Sequence, residues 1–196
     1  MREWLLGMVV GLAAWPVMAG DLPVAPPSPM VDVSAAPAVK ATFAQGFALG
    51  AFKGTPRTGL DDAEKALGGM IDTLDSMEWV CYDLPAGGQR VWLSSDEMSG
   101  GSVDTVTVTP RGTARSSHCP ELPAKFQPLT IDSDIRLGMT PADLTRLLGQ
   151  PSKTTGTWVV YKSQQLLPDG SATLTLAVNF VNGHAAFIAA GNMVND

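Results

Sequence analysis

Apolar and polar residues alternate along Thr173–Val181. Leu174, Leu176, Val178 and Phe180 fall on one side and Thr173, Thr175 and Asn179 on the other, the period-two pattern of a strand with one buried face. Asn182-Gly183 follows, a pair suited to a two-residue hairpin turn, and His184–Ala190 reads as the returning strand. Just upstream, Thr157–Lys162 is rich in β-branched and aromatic residues, and Pro168-Asp169-Gly170 is a turn tripeptide. Before these strands the period changes. Leu144, Leu147 and Leu148 stand at i, i+3 and i+4, one face of a helix. Thr140 suits the N-cap, Pro141 the first helical position, and Asp143 a capping-box carboxylate facing the positive helix end. Gly149 suits the C-cap and Pro151 prevents continuation. A helix of about ten residues does not persist alone, so its three leucines need the sheet that follows.

The same pattern occurs more weakly upstream. Gly59-Leu60-Asp61-Asp62 opens a segment with acids in its first turn and ends in Leu67-Gly68. Trp79-Val80-Cys81-Tyr82 matches Trp158-Val159-Val160-Tyr161 at three of four positions. Gly59 and Gly138 have the same 79-residue spacing as Trp79 and Trp158. Leu84-Pro85-Ala86-Gly87 corresponds to Leu167-Pro168-Asp169-Gly170, and Gln89–Ser95 and Ser102–Thr109 stand where a second and third strand belong. We read an internal duplication. The fold class is α+β, with two tandem modules, each a short helical segment packed on a small antiparallel sheet. The first module with its connection spans 41–128 and the second 129–196. Phe43, Phe47 and Ala51 recur at fours, so Lys40–Phe52 is expected to be helical, although Gly46 and Gly50 interrupt it.

Residues 1–19 read as a signal peptide. Arg2 supplies the positive start, Trp4–Ala14 is an apolar run too short to span a bilayer, and Val17-Met18-Ala19 fits a cleavage site. Residues 20–40 carry Pro23, Pro26, Pro27, Pro29 and Pro37 among Ala, Val and Ser. They read as an extended or disordered tether. A periplasmic or secreted protein is implied, with no stable transmembrane segment once the signal is removed.

Charge and cysteines narrow this further. The chain carries a net charge of −6. Gly59–Thr109 holds ten acids and two bases, against five and four in Thr130–Asp196. Nucleic acid is a poor partner, because phosphate neutralisation needs clustered Lys and Arg. Cys81 and Cys119 form an even pair in an exported chain, which points to a disulfide worth roughly 4 kcal/mol on the chain-entropy account. The only other soft ligands are His118 and His184, without a pair at short spacing, so no metal and no cofactor is expected.

Gly138-Met139-Thr140-Pro141, Leu144, Leu147-Leu148-Gly149 and Pro151, then Trp158 and Tyr161, then a strand pair closed by Asn182-Gly183, together resemble the small outer-membrane lipoprotein of the β-barrel assembly machinery, the BamE (SmpA/OmlA) family. Two such units in tandem resemble the β-lactamase inhibitory protein (BLIP) architecture. The resemblance implies helices on one face of an antiparallel sheet and action by binding other proteins. A lipid-bearing cysteine of the BamE kind is absent. The expected function is therefore an exported, non-enzymatic protein-binding module, an envelope assembly accessory or inhibitor-like protein, with an unidentified protein partner in the cell envelope. Its binding face is expected on the sheet side away from the helices: if Val91 and Leu93 face the core, Arg90 and Trp92 point outward as interface anchors, with Tyr82 and Tyr161 on that face in their copies. The rival is a small periplasmic hydrolase or thiol enzyme using the Ser116-Ser117-His118-Cys119 run. Adjacent residues do not meet as a nucleophile and base must, and Asp61-Asp62 and Glu64 are explained by the helix dipole.

Overall fold

In the computed structural model, residues 23–40, 43, 46–55, 57–112, 116–131, 134–167 and 170–195 are described. Residues 1–19, expected to be a signal peptide, and Pro168 and Asp169 of the expected turn lie outside them. The longest elements are those with the clearest patterns. Strands β1 (Phe47–Leu49) and β2 (Phe52–Gly54) precede helix α1 (Leu60–Leu67), which leads into β3 (Asp72–Leu74), β4 (Met77–Leu84), β5 (Gln89–Ser95) and β6 (Thr105–Pro110). A short strand β7 (Leu129–Ile131) precedes helix α2 (Pro141–Leu148), followed by β8 (Lys153–Thr155), β9 (Trp158–Leu167), β10 (Gly170–Val181) and β11 (His184–Asn195).

The fold is mixed α+β and dominated by antiparallel sheet. Eight strands form one sheet in the order β3-β4-β5-β6-β11-β10-β9-β8. Each half is four consecutive strands in hairpin succession, and the halves meet where β6 pairs with β11 through Val108↔Ile188 and Val106↔Ala190. A second sheet of three short strands has the order β2-β1-β7. It pairs the segment ahead of α1 with the segment ahead of α2, Phe47 lying opposite Ile131. Among the described residues no helix is long and apolar enough to cross a membrane.

Both helices cap themselves as their sequences suggest. Thr140 Oγ1 accepts from Asp143 N at 3.2 Å while Thr140 N donates to Asp143 Oδ2 at 3.2 Å. The Thr140 hydroxyl donating to the carboxylate, then the Thr140 N–H, then Arg146, lower the Asp143 pKa to about 2. At α1 the cap is Gly59, whose N–H donates to Asp62 Oδ2 at 3.3 Å. The hydroxyl of Tyr82 donates to Gly68 O at 2.9 Å, and that of Tyr161 to Gly149 O at 3.0 Å. Each tyrosine thus ties the first long strand of its half to the C-cap of the preceding helix.

One core holds the inner face of the large sheet, both helices and the small sheet. It includes Val80, Tyr82, Val91, Leu93, Leu174, Leu176, Val178 and Phe180, with Leu60, Ala63 and Leu144 from the helices and Phe43, Phe47 and Ile131 from the segments before them. The alternation expected for β10 is met residue by residue. Its turn is met too: Asn182 and Gly183 carry φ of 52° and 79°, the left-handed pair that a two-residue hairpin demands.

Several expectations are corrected. The part of Lys40–Phe52 from residue 47 onward is not a helix, since residues 47–54 make the β1–β2 hairpin; Gly50, at φ 56°, makes the turn, and the fourfold recurrence of Phe lost there to non-local pairing with β7. Leu147 is 41% exposed while Leu144 is 1% exposed, because α2 docks through Leu144 and Leu148, a narrower stripe than the three leucines suggest. The helix starts correspond at Gly59 and Thr140, not at Gly59 and Gly138, so their spacing exceeds that of Trp79 and Trp158 by two residues. The connection from helix to sheet is that much shorter in the second half.

Candidate functional site

The outer face of the large sheet is shaped by which residues the alternation leaves there. Reading across the ladders, one row runs Trp79, Ser94, Thr105, Gly191, Thr175, Lys162. The next runs Cys81, Trp92, Thr107, Ala189, Ala177, Val160. Each row has bulk at its first-half end and only Gly, Ala, Ser or Thr over the central strands. The middle of the face is therefore a trough. Gly191 keeps it open: a Cβ there would lie 2.7 Å from Thr175 Oγ1 and 3.4 Å from Thr105 Oγ1.

The proline-rich segment 23–40 lies over this trough, which corrects the expectation of a free tether. Trp92 Nε1 donates to Val24 O at 2.8 Å at one end. At the other, Lys162 Nζ donates to Ser34 O at 2.6 Å and Val39 N donates to Lys162 O at 2.7 Å. Between the anchors Asp32 Oδ1 accepts from Ser34 N and Ser34 Oγ, making a local turn, and Ala36 is buried. Phe43 meets Tyr161 edge-on in the inner core with ring centroids 6.1 Å apart. Segment and sheet border an open groove of about 510 Å³ lined by Pro26, Pro27, Pro29, Val33, Met77 and Met193 together with Ser94, Thr105, Thr107, Thr173 and Thr175. At its margin burial raises the Asp104 carboxyl above the ordinary range, although Asp96 N and Ser99 Oγ both donate to it.

The expected anchors are placed differently from the sequence reading. Val91 and Leu93 do face the core and Trp92 does face the other way, but Trp92 is only 4% exposed. It packs with Trp79, Cys81 and Cys119, with Val24 and Met77 against them. Tyr82 and Tyr161 are buried on the inner face, not beside Trp92. Arg90 is buried as well. Its Nε and Nη2 reach Asp83 Oδ1 and Oδ2 at 2.6 and 3.0 Å, and Arg111 joins them, its Nε 3.1 Å from Asp83 Oδ2 and its Nη2 2.5 Å from Glu121 Oε1. For Arg90 and Trp92, alternation gives the side a residue takes and not whether that side is covered; Tyr82 and Tyr161 take the opposite side, because Cys81 and not Tyr82 lies across from Trp92. Composition of the covering segment was the available signal: a run of Pro, Ala and Val can shield a sheet without periodicity of its own.

Cys81 and Cys119 form the expected disulfide, with Cα atoms 4.7 Å apart. It pins the connection after β6 alongside β4, where Asp83 N donates to Pro120 O and Leu122 N to Asp83 O. Such a bond belongs to an oxidising compartment. The thiol is thereby committed. His118 Nδ1 lies 2.8 Å from Asp72 Oδ1, an orienting carboxylate that the sequence reading did not find, and Ser116 Oγ accepts from the His118 backbone N–H at 3.2 Å. His184 is exposed beside its turn, Nδ1 3.0 Å from Gly138 O. Among the described residues no cluster of His, Cys, Asp and Glu is arranged to hold a metal. No protein family, curated protein or solved structure matches the chain.

Proposed function

We propose that this chain is an exported, non-enzymatic binding protein made of two tandem helix-plus-sheet modules, acting on an envelope protein partner in the manner of an assembly accessory or inhibitor. One observation carries the binding reading: the outer face of the large sheet already holds a polypeptide, and holds it by side-chain donors directed at main-chain carbonyls, Trp92 to Val24 and Lys162 to Ser34. Donors aimed at the backbone recognise an extended chain largely irrespective of its side chains. Two tandem copies are supported by the strand order, by a capping-box acid at N3 of each helix, and by the matching Tyr82 and Tyr161 contacts. Residues 1–19 serve as the export signal and the disulfide fits a periplasmic or secreted destination. The BamE-like and BLIP-like resemblance supports the same class of action.

The test is site-specific photo-crosslinking in cells. A crosslinker at Thr173 or Met193, beside the trough, is expected to give a discrete adduct competed by excess unmodified protein. One at Lys65 on α1 is expected to give none. Equal adducts from both faces, or none from either, would overturn the assignment of the outer face. The rival hydrolase reading draws on the His118–Asp72 contact. His118→Ala is expected to leave the outer-face adduct intact; abolition of a hydrolytic activity by that change would favour the rival.

A further inference from the structure

We infer that the trough is a receptor for extended, proline-bearing segments of a partner protein, and that residues 23–39 of this chain are its internal stand-in. The inference rests on the binding reading above and narrows it to a ligand class.

Three observations converge. The first is how the segment is held. Its fixed points are carbonyls, taken by Trp92 Nε1 and Lys162 Nζ, and one main-chain bond from Val39 N to Lys162 O. Proline suits such a site because it keeps its carbonyl, lacks the N–H that would otherwise need a partner, and is already extended before binding. Pro26, Pro27 and Pro29 lie over the trough between those fixed points.

The second is fit. The stand-in does not fill its site. An open groove of about 510 Å³ remains beside it, lined on the sheet side by Ser94, Thr105, Thr175 and Gly191, where a side chain on Gly191 would meet Thr175 Oγ1. A segment carrying larger apolar side chains there gains contacts that Pro26 to Pro29 do not make. Met77 and Met193, which line the space, can adapt to different shapes.

The third is an unspent donor. Trp79 Nε1 is buried and has no hydrogen-bond partner among the described residues, in the same cluster as Trp92 and Val24. A buried donor without a partner is costly, and a further carbonyl from an incoming chain would satisfy it. Tethering explains why the stand-in occupies the site at rest: it acts at a high effective concentration that a free peptide must exceed. A partner displaces it by better filling, and the freed segment is then the exposed part of the chain.

The experiment uses the full chain with a protease site introduced at residues 41–42, so that cleavage removes the tether but no part of the sheet. The probe is a fluorescein-labelled peptide of residues 23–39, followed by anisotropy. Cleaved protein is expected to bind it saturably while uncut protein binds at least roughly tenfold more weakly, as loss of tether competition requires. The same peptide with Ser28→Phe is expected to bind about fivefold tighter by filling the space. A peptide with Pro26, Pro27 and Pro29 all replaced by Ala is expected to bind about fivefold more weakly, because its extended form is no longer prepaid. Trp92→Phe in the cleaved protein is expected to weaken binding roughly fivefold. If cutting leaves the protein less stable, added probe must restore its urea midpoint saturably; no restoration counts against the inference. Absence of saturable binding, or equal binding of the proline-free peptide, overturns it. If that happens while the Thr173 adduct persists, only the proline class is lost; if the adduct is also absent, the binding reading falls with it.

Discussion

Removing one oxygen atom from each half tests whether the two halves are built alike. Tyr82→Phe and Tyr161→Phe each delete a hydroxyl that donates to a helix C-cap carbonyl, Gly68 O at 2.9 Å and Gly149 O at 3.0 Å. The rings remain, and both are fully buried, so no cavity larger than the oxygen opens. Burial raises both phenols above their ordinary pKa, as expected of hydroxyls removed from water. Gly68 and Gly149 are exposed, so water can take the place of the lost donor at each carbonyl. The cost is then the net worth of one hydrogen bond, about 1 kcal/mol per variant, and not the larger penalty of an orphaned buried group. The two bonds share no partner, so the double variant should lose about 2 kcal/mol, additive to within roughly 0.5 kcal/mol. Urea unfolding followed by tryptophan fluorescence measures this directly, with shifted midpoints at constant slope. A result in which either single variant stays within about 0.3 kcal/mol of the parent would refute the reasoning, since an ordinary hydrogen bond is worth more.

Two further outcomes follow from the same structure. Replacing Cys81 and Cys119 together by Ala releases the connection after β6 and should lower stability by about 4 kcal/mol on the chain-entropy account; identical urea midpoints for the variant and the oxidised parent would show that the bridge constrains nothing. Thr140→Val should cost about 1 kcal/mol at neutral pH through loss of the α2 cap. It should also flatten the acid response: the Thr140 hydroxyl first, then its N–H, then Arg146 hold the Asp143 carboxyl at about 2 against a usual 3.8, so this contribution is present above about pH 4 and is lost as pH falls towards 2. Urea midpoints compared between about pH 5 and about pH 2.5 should drop less in the variant than in the parent, and equal drops would remove Thr140 from that role.

Local chemistry settled a good part of this protein before any folding. Thr140, Pro141, Asp143 and Gly149 determine α2 because capping and termination are satisfied within a few residues. Asn182-Gly183 determines the β10–β11 turn because left-handed backbone at both positions is a local demand, and the alternation Leu174 to Phe180 determines which face of β10 is inner. Cys81 and Cys119 needed only an even count and an oxidising setting. What only tertiary structure decided is what lies against what. Phe47 to Leu49 carries a helical spacing yet forms a strand, because β7 from some eighty residues away completes its hydrogen bonds. Trp92 and Arg90 lie on the side that alternation assigns them, yet are buried: a proline-rich segment with no periodicity to read reaches Trp92, and Arg90 is held by Asp83, to which the connection at Pro120–Leu122 bonds. Side-chain direction along a strand is a property of the backbone, fixed residue by residue; exposure is a property of the neighbours, and these come from distant parts of the chain.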